Sequence, residues 1–345
     1  MTKVYVGMSG GVDSSLTAAL LKEQGYNVTG VYMKNWTQDL PGMKCPWADD
    51  LADAKRVAVQ LGIDFKVFDF ENEYKHKVVD YMIEEYKLGR TPNPDIMCNQ
   101  EVKFKLFLET ALEDGADMIA TGHYARVENG VLKQAVDTNK DQTYFLYRVT
   151  EEALKKTLFP LGEFKKPQVR EMAKERGLYT AAKKDSQGIC FVGQIGIREF
   201  LSQYVEQVAG PIIDKKTGTV LGQHDGAIFY TIGQRHGLDL GGGLPYYVVG
   251  KNMDKNEVYV TTDLNDDTLW KPVLDLINVH WINQTPTEGE FTIRVRHRAA
   301  LAPATVNFEG DTAKLVLDNS ERAVAAGQSV VIYDGDVCIG GGIIA

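Results

Sequence analysis

A glycine-rich segment near the start of the chain has the residues of a phosphate-binding turn. Residues 9–15 read SGGVDSS, directly after the apolar β-type run Val4–Met8 and before a helix-like stretch, Ser14–Gln24. A turn between a buried strand and a helix directs successive backbone N–H groups to one place, where the helix dipole adds partial positive charge. The segment therefore predicts a phosphate site, with an ordinary tight turn as the competing interpretation.

The spacing within this segment limits its nucleotide chemistry. It fits neither GxGxxG nor GxxxxGK[ST], so neither a dinucleotide-binding fold nor a Walker-type NTPase is predicted. The lysine that stabilises the β- and γ-phosphates in those NTPases is missing, and Ser9, Ser14, Ser15 and backbone amides surround the anion instead. Asp13 is available to a magnesium-bound pyrophosphate. The segment alone therefore predicts a phosphate site that lacks the lysine of γ-phosphate transfer.

A second candidate site lies in the stretch GRTPNPDIMCN at residues 89–99. Two prolines fix φ and exclude regular helix, so the sequence predicts a stiff loop that holds Asp95 and Cys98 at set positions. A carboxylate near a thiol suggests proton transfer, with Asp95 as the base for a proton that leaves Cys98 or a substrate nitrogen. The competing interpretation is that Cys98 is a small buried apolar residue, the commoner fate of a lone cysteine.

The stretch KKDSQGICF at residues 183–191 contains a further cysteine of interest, Cys190. Lysines just upstream and a glycine that permits a sharp turn favour its reactive thiolate form. Cys98 and Cys190 are 92 positions apart, and both lie among turn-forming residues. The two thiols could therefore meet across a cleft and exchange through a disulfide, although spacing alone leaves this open.

These candidate sites belong to a chain of 345 residues with 44% hydrophobic residues, 25% charged residues and a formal net charge of -9. The length predicts two or three domains, and the acidic balance argues against indiscriminate nucleic-acid binding. No stretch approaches the roughly 18 consecutive apolar residues of a membrane span. The first strand begins within a few residues of Met1, so we expect a cytoplasmic protein with no membrane partner.

The four cysteines have no compact metal-ligand spacing, and no metal site made by side chains alone is predicted.

Strand-like and helix-like stretches alternate along the first part of the chain, which predicts an α/β fold with a parallel sheet. Helix is expected over Val102–Asp114 and again from Glu151 to about Gln207. After about Gly210, short β-rich runs separated by Gly, Asp and Asn predict small antiparallel sheets or a barrel. The expected domains are residues 1–205 with the catalytic cysteines, a small β-rich domain at 206–275, and a β-barrel that contacts RNA at 276–345.

The run RVRHR at residues 294–298 suggests a ligand surface in the distal part. Side chains alternate along a strand, so Arg294, Arg296 and Arg298 would project from one face as a narrow cationic stripe. Arginines suit RNA phosphates. The competing interpretation is an ordinary solvated strand face.

In its strand context, SGGVDSS resembles the pyrophosphate-binding loop of the N-type ATP pyrophosphatases, among them GMP synthetases, NAD synthetases and several RNA-thiolating enzymes. Six motifs in order resemble those of the tRNA-specific 2-thiouridylases nearly end to end: GMSGGVDSS, PNPDIMCN, ATGHYAR, KDQTYFLY, KDSQGICF and TIGQRHGL. The resemblance implies an ATP-pyrophosphatase domain and an ATP-dependent enzyme. Its substrate would be a tRNA of the Lys, Glu or Gln type, in which sulfur replaces the C2 oxygen of the wobble uridine.

The resemblance also implies roles for individual residues. Those that would bind ATP are Gly7, Met8, Ser9, Gly10, Gly11, Val12, Asp13, Ser14, Met33 and Gly122. Those that would meet the target base are Asn93, Pro94 and Asp95. Those that would contact the tRNA elsewhere are Lys140, Asp141, Gln142, Arg296 and His297. Cys98 would be a catalytic nucleophile, and Cys190 would carry the sulfur as a persulfide.

The implied reaction needs ATP with magnesium and a sulfur-donor protein, either a cysteine desulfurase or a relay protein. Adenylation makes the C2 oxygen a far better leaving group. The Cys190 persulfide would then attack C2, and Cys98 would resolve the intermediate by forming a disulfide with Cys190. Some RNA-thiolating enzymes hold an iron–sulfur cluster on three cysteines, but position 101 is Glu101, so we expect a cluster-free route. Two alternatives stay open: an amide-forming ligase similar to GMP or NAD synthetases, and a tRNA-binding protein without catalysis.

Overall fold

The computed structural model describes residues 1–39, 45–184, 196–241 and 243–345. The first strands and helices are β1 (Lys3–Gly7), α1 (Val12–Glu23), β2 (Asn27–Lys34), α2 (Trp47–Leu61), β3 (Asp64–Asp69), α3 (Glu71–Tyr74), α4 (Tyr81–Lys87), α5 (Pro94–Met97), α6 (Phe107–Glu113) and β4 (Met118–Ala120). They are followed by β5 (Arg126–Glu128), β6 (Val131–Lys133), α7 (Glu151–Lys155), β7 (Thr157–Leu158), α8 (Lys166–Glu175) and α9 (Ile197–Leu201). No helix of the described residues is long and apolar enough to cross a membrane.

Five strands of this part form one parallel sheet in the order β3-β2-β1-β4-β7, which confirms the predicted α/β class. The central strand β1 is apolar and fully buried at Val4, Tyr5 and Val6, as expected for a strand with helices on both faces. The chain runs outward from β1 to β3 and then returns to the other side of β1. In such sheets ligands bind beyond the carboxyl ends of the two strands where the order reverses, here β1 and β4.

The segment that carries Cys98 is helical where the sequence predicted a loop. Helix starts at Pro94, passes through a nine-residue π-helical segment over Cys98–Leu106 and continues into α6. The expectation from the two prolines is therefore wrong from Pro94 onward, because proline is tolerated at the first helical position, where its missing N–H would have no partner. Asn93 caps this helix, and its Oδ1 accepts hydrogen bonds from the backbone N–H of Asp95 at 3.1 Å and of Ile96 at 3.3 Å.

The predicted dominance of helix between Glu151 and Gln207 is wrong in extent. In the described parts of this stretch the α-helices are short, and α7 is followed at once by β7, which pairs with β4 at the edge of the parallel sheet. Two residues are too few for an alternating hydrophobic pattern, so β7 leaves no periodic signal in the sequence.

Strands make up most of the distal part. They are β8 (Gly210–Asp214), β9 (Val220–His224), β10 (Tyr247–Asn252), β11 (Glu257–Thr261), β12 (Trp270–Trp281), β13 (Gly289–Arg294), β14 (Ala302–Glu309), β15 (Thr312–Arg322), β16 (Ser329–Asp334) and β17 (Val337–Ile344). The first four form a sheet in the order β10-β11-β8-β9, in which β11 and β8 are parallel and the other pairs antiparallel.

The last six strands close into a barrel, because β12 pairs with both β15 and β17, which confirms the predicted C-terminal β-barrel. Buried side chains such as Leu276, Ile293, Leu315 and Ile332 form its core. The hairpin β5–β6 also joins this sheet, since β6 pairs with β17. A piece of chain between β4 and α7 therefore connects the barrel directly with the parallel sheet.

Candidate nucleotide and thiol site

The loop between β1 and α1 lies at the reversal point of the parallel sheet. The Met8 N–H donates to the Val31 carbonyl at 2.8 Å, and the Met8 side chain is buried, so both are engaged within the fold. Gly11 is the N-cap of α1 and provides no side-chain cap. Because the first N–H groups of a helix have no carbonyl partner within it, this helix end suits an anion.

Two glycines let the chain pack tightly around this helix end. Gly10 has φ +74, and a Cβ there would lie 2.3 Å from the Asp50 carbonyl oxygen. A Cβ on Gly122, just after β4, would lie 2.9 Å from the Asp13 carbonyl carbon and from the Ser14 nitrogen. The two loops predicted to bind ATP therefore touch each other backbone to backbone.

The remaining predicted ATP residues complete this loop. The Ser14 hydroxyl accepts from the Ser9 N–H at 3.2 Å and donates to the Gly11 carbonyl at 3.2 Å. A Cβ on Gly7 would lie 3.0 Å from Met33 Cε, so Met33 packs against the end of β1. Val12 is buried in the core between α1 and α8 and contributes only its backbone.

Replacing Gly122 by alanine is expected to lower the rate of adenylation about 10²-fold, the scale of a misplacement by about 1 Å at a reacting group. The added methyl group would push the start of α1 away from the β4 loop. Gly289→Ala is the matched control, because a Cβ there meets nothing within 4 Å. Pyrophosphate release measured for both variants checks this, and a Gly122→Ala protein as active as Gly289→Ala would contradict the tight packing.

The Asp13 carboxylate is held by two side chains that the sequence did not reveal. Lys166 Nζ lies 2.8 Å from both carboxylate oxygens, and the Tyr124 hydroxyl donates to Oδ1 at 2.8 Å. Lys166 belongs to α8, which packs on α1 through buried Val169 and Leu16. A distant helix therefore places a lysine beside this loop. Tyr124 lies within the ATGHYAR motif, whereas no pattern marks Lys166.

The segment predicted to touch tRNA, Lys140 to Gln142, links this site to the barrel. Gln142 pairs with Tyr124 through two hydrogen bonds of 2.9 Å, one from each backbone N–H. The neighbouring Asp141 carboxylate accepts from Arg294 Nη1 at 2.9 Å and is only 1% exposed. In this structure the Asp141 side chain therefore anchors the barrel, and it does not face solvent.

Asp141→Asn is expected to lower the free energy of unfolding by about 3 kcal/mol, because it leaves the buried Arg294 charge without its anion. Thermal and urea unfolding measure the loss. Adding Arg294→Met to this variant removes the orphaned charge and should restore much of the stability. A double variant as unstable as the sum of the two single variants would contradict a paired role.

The predicted cationic stripe at residues 294–298 is wrong. β13 ends at Arg294, whose side chain is buried against Asp141. Arg296 turns back to donate to the carbonyls of Arg322, at 2.9 Å, and Ala323. Arg298 has φ +65, so the chain has left the strand conformation by this point and the three guanidinium groups do not share a face.

Cys98 is 1% exposed and packs in the main hydrophobic core beside α5. Its neighbour Asn99 donates from Nδ2 to the Phe145 carbonyl at 3.2 Å. Asp95 is half-buried at the start of the same helical run. Cys190 lies outside the described residues, so its meeting with Cys98 stays a prediction.

Two other residues bear on the thiol chemistry. Glu101 forms ion pairs with Lys77 at 3.0 Å and Lys105 at 3.4 Å, so a structural carboxylate occupies the position at which a cluster would need a further cysteine. Cys45 is buried, its Sγ donates to the Trp36 carbonyl at 3.6 Å, and burial raises the pKa of its thiol. Cys45 is thereby held in its unreactive protonated form.

Comparison with known proteins identifies the family. A model described as the tRNA methyl transferase HUP domain matches residues 2–194, one described as the tRNA methyl transferase PRC-barrel domain matches 198–262, and one described as the aminomethyltransferase beta-barrel domain matches 272–344. The tRNA-specific 2-thiouridylase MnmA of Bacillus thuringiensis (strain Al Hakam) is 49% identical, over 99% of this chain and 94% of that protein. The chain belongs to the tRNA-specific 2-thiouridylase family. The resemblance seen in the six motifs is thereby confirmed.

A second member of the 2-thiouridylase family, MnmA of Bacillus anthracis, has the same 49% identity over 99% of this chain and 94% of its own length. The descriptions of the family models refer to methyl transfer, whereas these full-length relatives are named thiouridylases. A solved 4-thiouridine synthetase in complex with RNA and ATP aligns with 59% of this chain and 50% of its own, at 20% identity and a TM-score of 0.39. A TM-score of that size supports no conclusion about this 2-thiouridylase family member.

Proposed function

We propose that this protein is an ATP-dependent tRNA sulfurtransferase that converts the wobble uridine to 2-thiouridine. The observation that carries the proposal is the site at the carboxyl ends of β1 and β4. There the start of α1, Asp13 and Lys166 converge in the same domain as Cys98. The full-length likeness to proteins named tRNA-specific 2-thiouridylase gives the reaction its substrate.

The first step is activation of the uridine by ATP. The C2 oxygen is a poor leaving group, and its attack on the α-phosphate of ATP gives an adenylate and pyrophosphate. The N–H groups at the start of α1 and the Lys166 ammonium would hold the departing pyrophosphate. Asp13 would be the carboxylate that holds Mg²⁺, and the ion would neutralise phosphate oxygens. Gly122 has no side chain, so the loop after β4 meets the start of α1 backbone to backbone. This close contact supports a nucleotide site shared by the two loops.

The second step replaces AMP by sulfur. The terminal sulfur of a Cys190 persulfide attacks C2 and AMP leaves, which gives an intermediate that joins the base to Cys190 through two sulfur atoms. The Cys98 thiolate then attacks the Cys190 sulfur, so the outer sulfur stays on C2 as the thiocarbonyl and a Cys98–Cys190 disulfide forms. An external thiol supplies the two electrons that reduce this disulfide. The route contains no iron–sulfur cluster, and stoichiometric iron and acid-labile sulfide in anaerobically purified protein would contradict it.

The tRNA is proposed to lie across the start of α5 and the mouth of the barrel. Asn93, Pro94 and Asp95 would meet the target base. The wider tRNA contact would involve the segment Lys140 to Gln142 and the barrel pair Arg296 and His297. With the Asp141 carboxylate held by Arg294, contact along that segment would come from Lys140, Gln142 and the backbone.

The likeness to the 2-thiouridylases suggests the remaining partners. The substrate is a tRNA of the Lys, Glu or Gln type, and the sulfur comes from a cysteine desulfurase or a relay protein. We place the reaction in the cytoplasm, where reducing thiols reset the cysteine pair.

Reconstitution tests this function. Purified protein is incubated with Mg-ATP, unmodified tRNA, and a cysteine desulfurase with cysteine, while pyrophosphate and 2-thiouridine are both measured. We expect both products and no amidated product when ammonia replaces the sulfur source. Pyrophosphate release that needs ammonia and no tRNA would favour an amide-forming ligase, and no pyrophosphate release at all would favour a binding protein.

A further inference from the structure

The outer face of α2 carries an exposed apolar and cationic patch beside the end of α8. Val59 is 81% exposed and Tyr179 is 61% exposed. Lys55 and Arg56 precede Val59 by four and three positions, so they flank it on the helix surface. The Arg56 guanidinium lies over the Tyr179 ring, 5.0 Å from its centroid, and donates to the Tyr179 hydroxyl at 3.1 Å. We call Lys55, Arg56, Val59 and Tyr179 the α2 patch.

Hydrogen bonds hold the α2 patch in shape. Gln60 donates from Nε2 to the Gly177 carbonyl at 2.7 Å and accepts from the Tyr179 N–H at 3.2 Å. Arg56 also forms an ion pair with Asp53 at 3.0 Å. Tyr179 is therefore fixed through its backbone while most of its surface faces solvent. Tyrosine and arginine are enriched among the residues that dominate protein interfaces, and anchors that are already ordered lose little entropy on binding.

The chain that leads to Cys190 starts beside the α2 patch. Lys183 Nζ lies 2.7 Å from the carboxylates of both Asp50 and Asp53, and the Lys183 carbonyl accepts from Arg170 Nη1 at 3.0 Å. Cys190 lies outside the described residues, seven positions after Lys183. Seven extended residues span at most about 25 Å. A typical interface of about 800 Å² per partner is roughly 30 Å across, so a protein seated on the patch would come within reach of Cys190.

The α2 patch and the proposed tRNA contacts belong to opposite faces of the parallel sheet. Side chains alternate along β1. Val4 and Val6 pack with α1 and α2 in one core cluster. Tyr5 points to the other face, into the cluster that contains Ile96 of α5 and Tyr333 of the barrel. A tRNA across the start of α5 and the mouth of the barrel would therefore leave the α2 patch uncovered.

The charge and the apolar centre of the α2 patch select among possible occupants. A second copy of the chain in a two-fold dimer would place this cationic patch against itself, which like charges disfavour. An RNA backbone would pair with the cations but would gain nothing from the aliphatic side chain of Val59. A protein with an apolar contact surrounded by acidic side chains would match both features.

We propose that the α2 patch docks the protein that delivers sulfur to Cys190, while the tRNA occupies the opposite face of the sheet. The inference rests on the proposed function, since it takes the Cys190 persulfide as an intermediate. The Cys190 thiolate attacks the outer sulfur of a persulfide on the donor, the S–S bond of the donor breaks, and the donor leaves as a thiolate. One S–S bond forms for each that breaks, so the transfer needs no oxidant or reductant.

Sulfur loading of the full chain in the absence of tRNA tests the inference. The probe is a cysteine desulfurase supplied with radiolabelled cysteine, and the label that Cys190→Ser fails to acquire is counted. Combining Val59→Asp with Tyr179→Ala should raise the desulfurase concentration for half-maximal loading about tenfold and keep the maximal rate, as expected for lost interface contacts. Val220→Asp, at an exposed valine of β9, is the matched control and should change it less than about twofold. Unchanged loading of the double variant would overturn the proposal.

The charge of the partner is tested by Lys55→Glu. Reversing this exposed charge should lower loading about threefold at low ionic strength, because the variant would repel an acidic partner. The deficit should shrink as salt is added, since exposed charges are screened. Faster loading of Lys55→Glu, or a deficit that salt does not change, would contradict an acidic partner.

Inorganic sulfide separates docking from the rest of the reaction. Hydrosulfide can attack the adenylated C2 directly with AMP as the leaving group, so this route needs neither the donor protein nor Cys190. The double variant should therefore form 2-thiouridine from sulfide at the wild-type rate and bind tRNA within about twofold of wild type. Equal losses with sulfide and with the desulfurase, or weakened tRNA binding, would show a general defect or an RNA surface and would overturn the inference.

The docking inference and the proposed function fail in different ways. Wild-type protein that forms 2-thiouridine and a double variant that is loaded normally overturn the docking surface alone. Loading of Cys190 that depends on the α2 patch, with no thiolation of any tRNA, supports the docking surface and contradicts the proposed sulfur transfer.

Discussion

Replacing Asp13 by alanine is expected to lower ATP-dependent pyrophosphate release by about 10²- to 10³-fold, the scale of losing one preorganised electrostatic group. The variant loses the carboxylate that receives both Lys166 and Tyr124. Under the proposed mechanism it also removes a ligand of Mg²⁺, so the triphosphate would bind without that counter-ion. Pyrophosphate release with saturating tRNA measures this step without requiring sulfur.

The control for this prediction is an aspartate at the opposite end of the same sheet. Asp117 is exposed and accepts from the Lys3 N–H at 2.7 Å, near the amino end of β1. Asp117→Ala should keep pyrophosphate release within about twofold, as expected for a surface substitution away from the site. If the two variants lost activity equally, the effect would be one of stability and the role given to Asp13 would be wrong.

Replacing Cys190 by serine is expected to leave pyrophosphate release intact and to lower 2-thiouridine formation by at least about 10³-fold, the scale of losing a covalent nucleophile. Serine cannot carry a persulfide, whereas the proposed ATP site is built from other residues. Cys98→Ser should form the same sulfur-bridged intermediate and fail to resolve it through a disulfide. Quantifying adenylate and thiolated base in one reaction separates the two steps.

Cys45→Ser is the matched control for the cysteine variants. Its thiol is buried, hydrogen-bonded to Trp36 and protonated, so the substitution should keep thiolation. It also tests the cluster-free route, because Cys45 is the cysteine that could join Cys98 and Cys190 in a cluster.

Loss of pyrophosphate release in Cys190→Ser equal to that in Asp13→Ala would show that the loop and the cysteine do not serve separate steps.

Local sequence predicted the strand, turn and helix around SGGVDSS well because their geometry is set by adjacent residues. The turn follows from Gly10 and Gly11 between a buried strand and a helix, and these residues are neighbours in the chain. Lys166 could not be predicted in this way. It reaches Asp13 from 153 positions away through the packing of α8 on α1, which no local pattern encodes.

Two errors of sequence reasoning have clear physical causes. The two prolines predict a loop at Pro94, yet a proline at the first helical position costs no hydrogen bond, and Asn93 caps the helix there. The prediction of a cationic stripe requires the strand to continue beyond Arg294. The buried partner Asp141, which comes from another part of the chain, draws that guanidinium inward instead.

The barrel was predicted from its strand-like runs, but its connection to the proposed ATP site was not. The hairpin β5–β6 lies early in the sequence and yet extends the barrel sheet. Tyr124, which lies just before this hairpin, donates one hydrogen bond to Gln142 and another to the Asp13 carboxylate. Strand pairings between distant segments depend on the folded topology, so a local pattern predicts that a strand exists but not which strand it joins.

The most direct test of the sulfur-transfer account is mass spectrometry of the wobble nucleoside in tRNA from cells that lack this protein. The account predicts that 2-thiouridine derivatives disappear from tRNAs of the Lys, Glu and Gln type. Wild-type protein should restore them, and Cys190→Ser should not. Undiminished 2-thiouridine at the wobble position in the deficient cells would contradict the account.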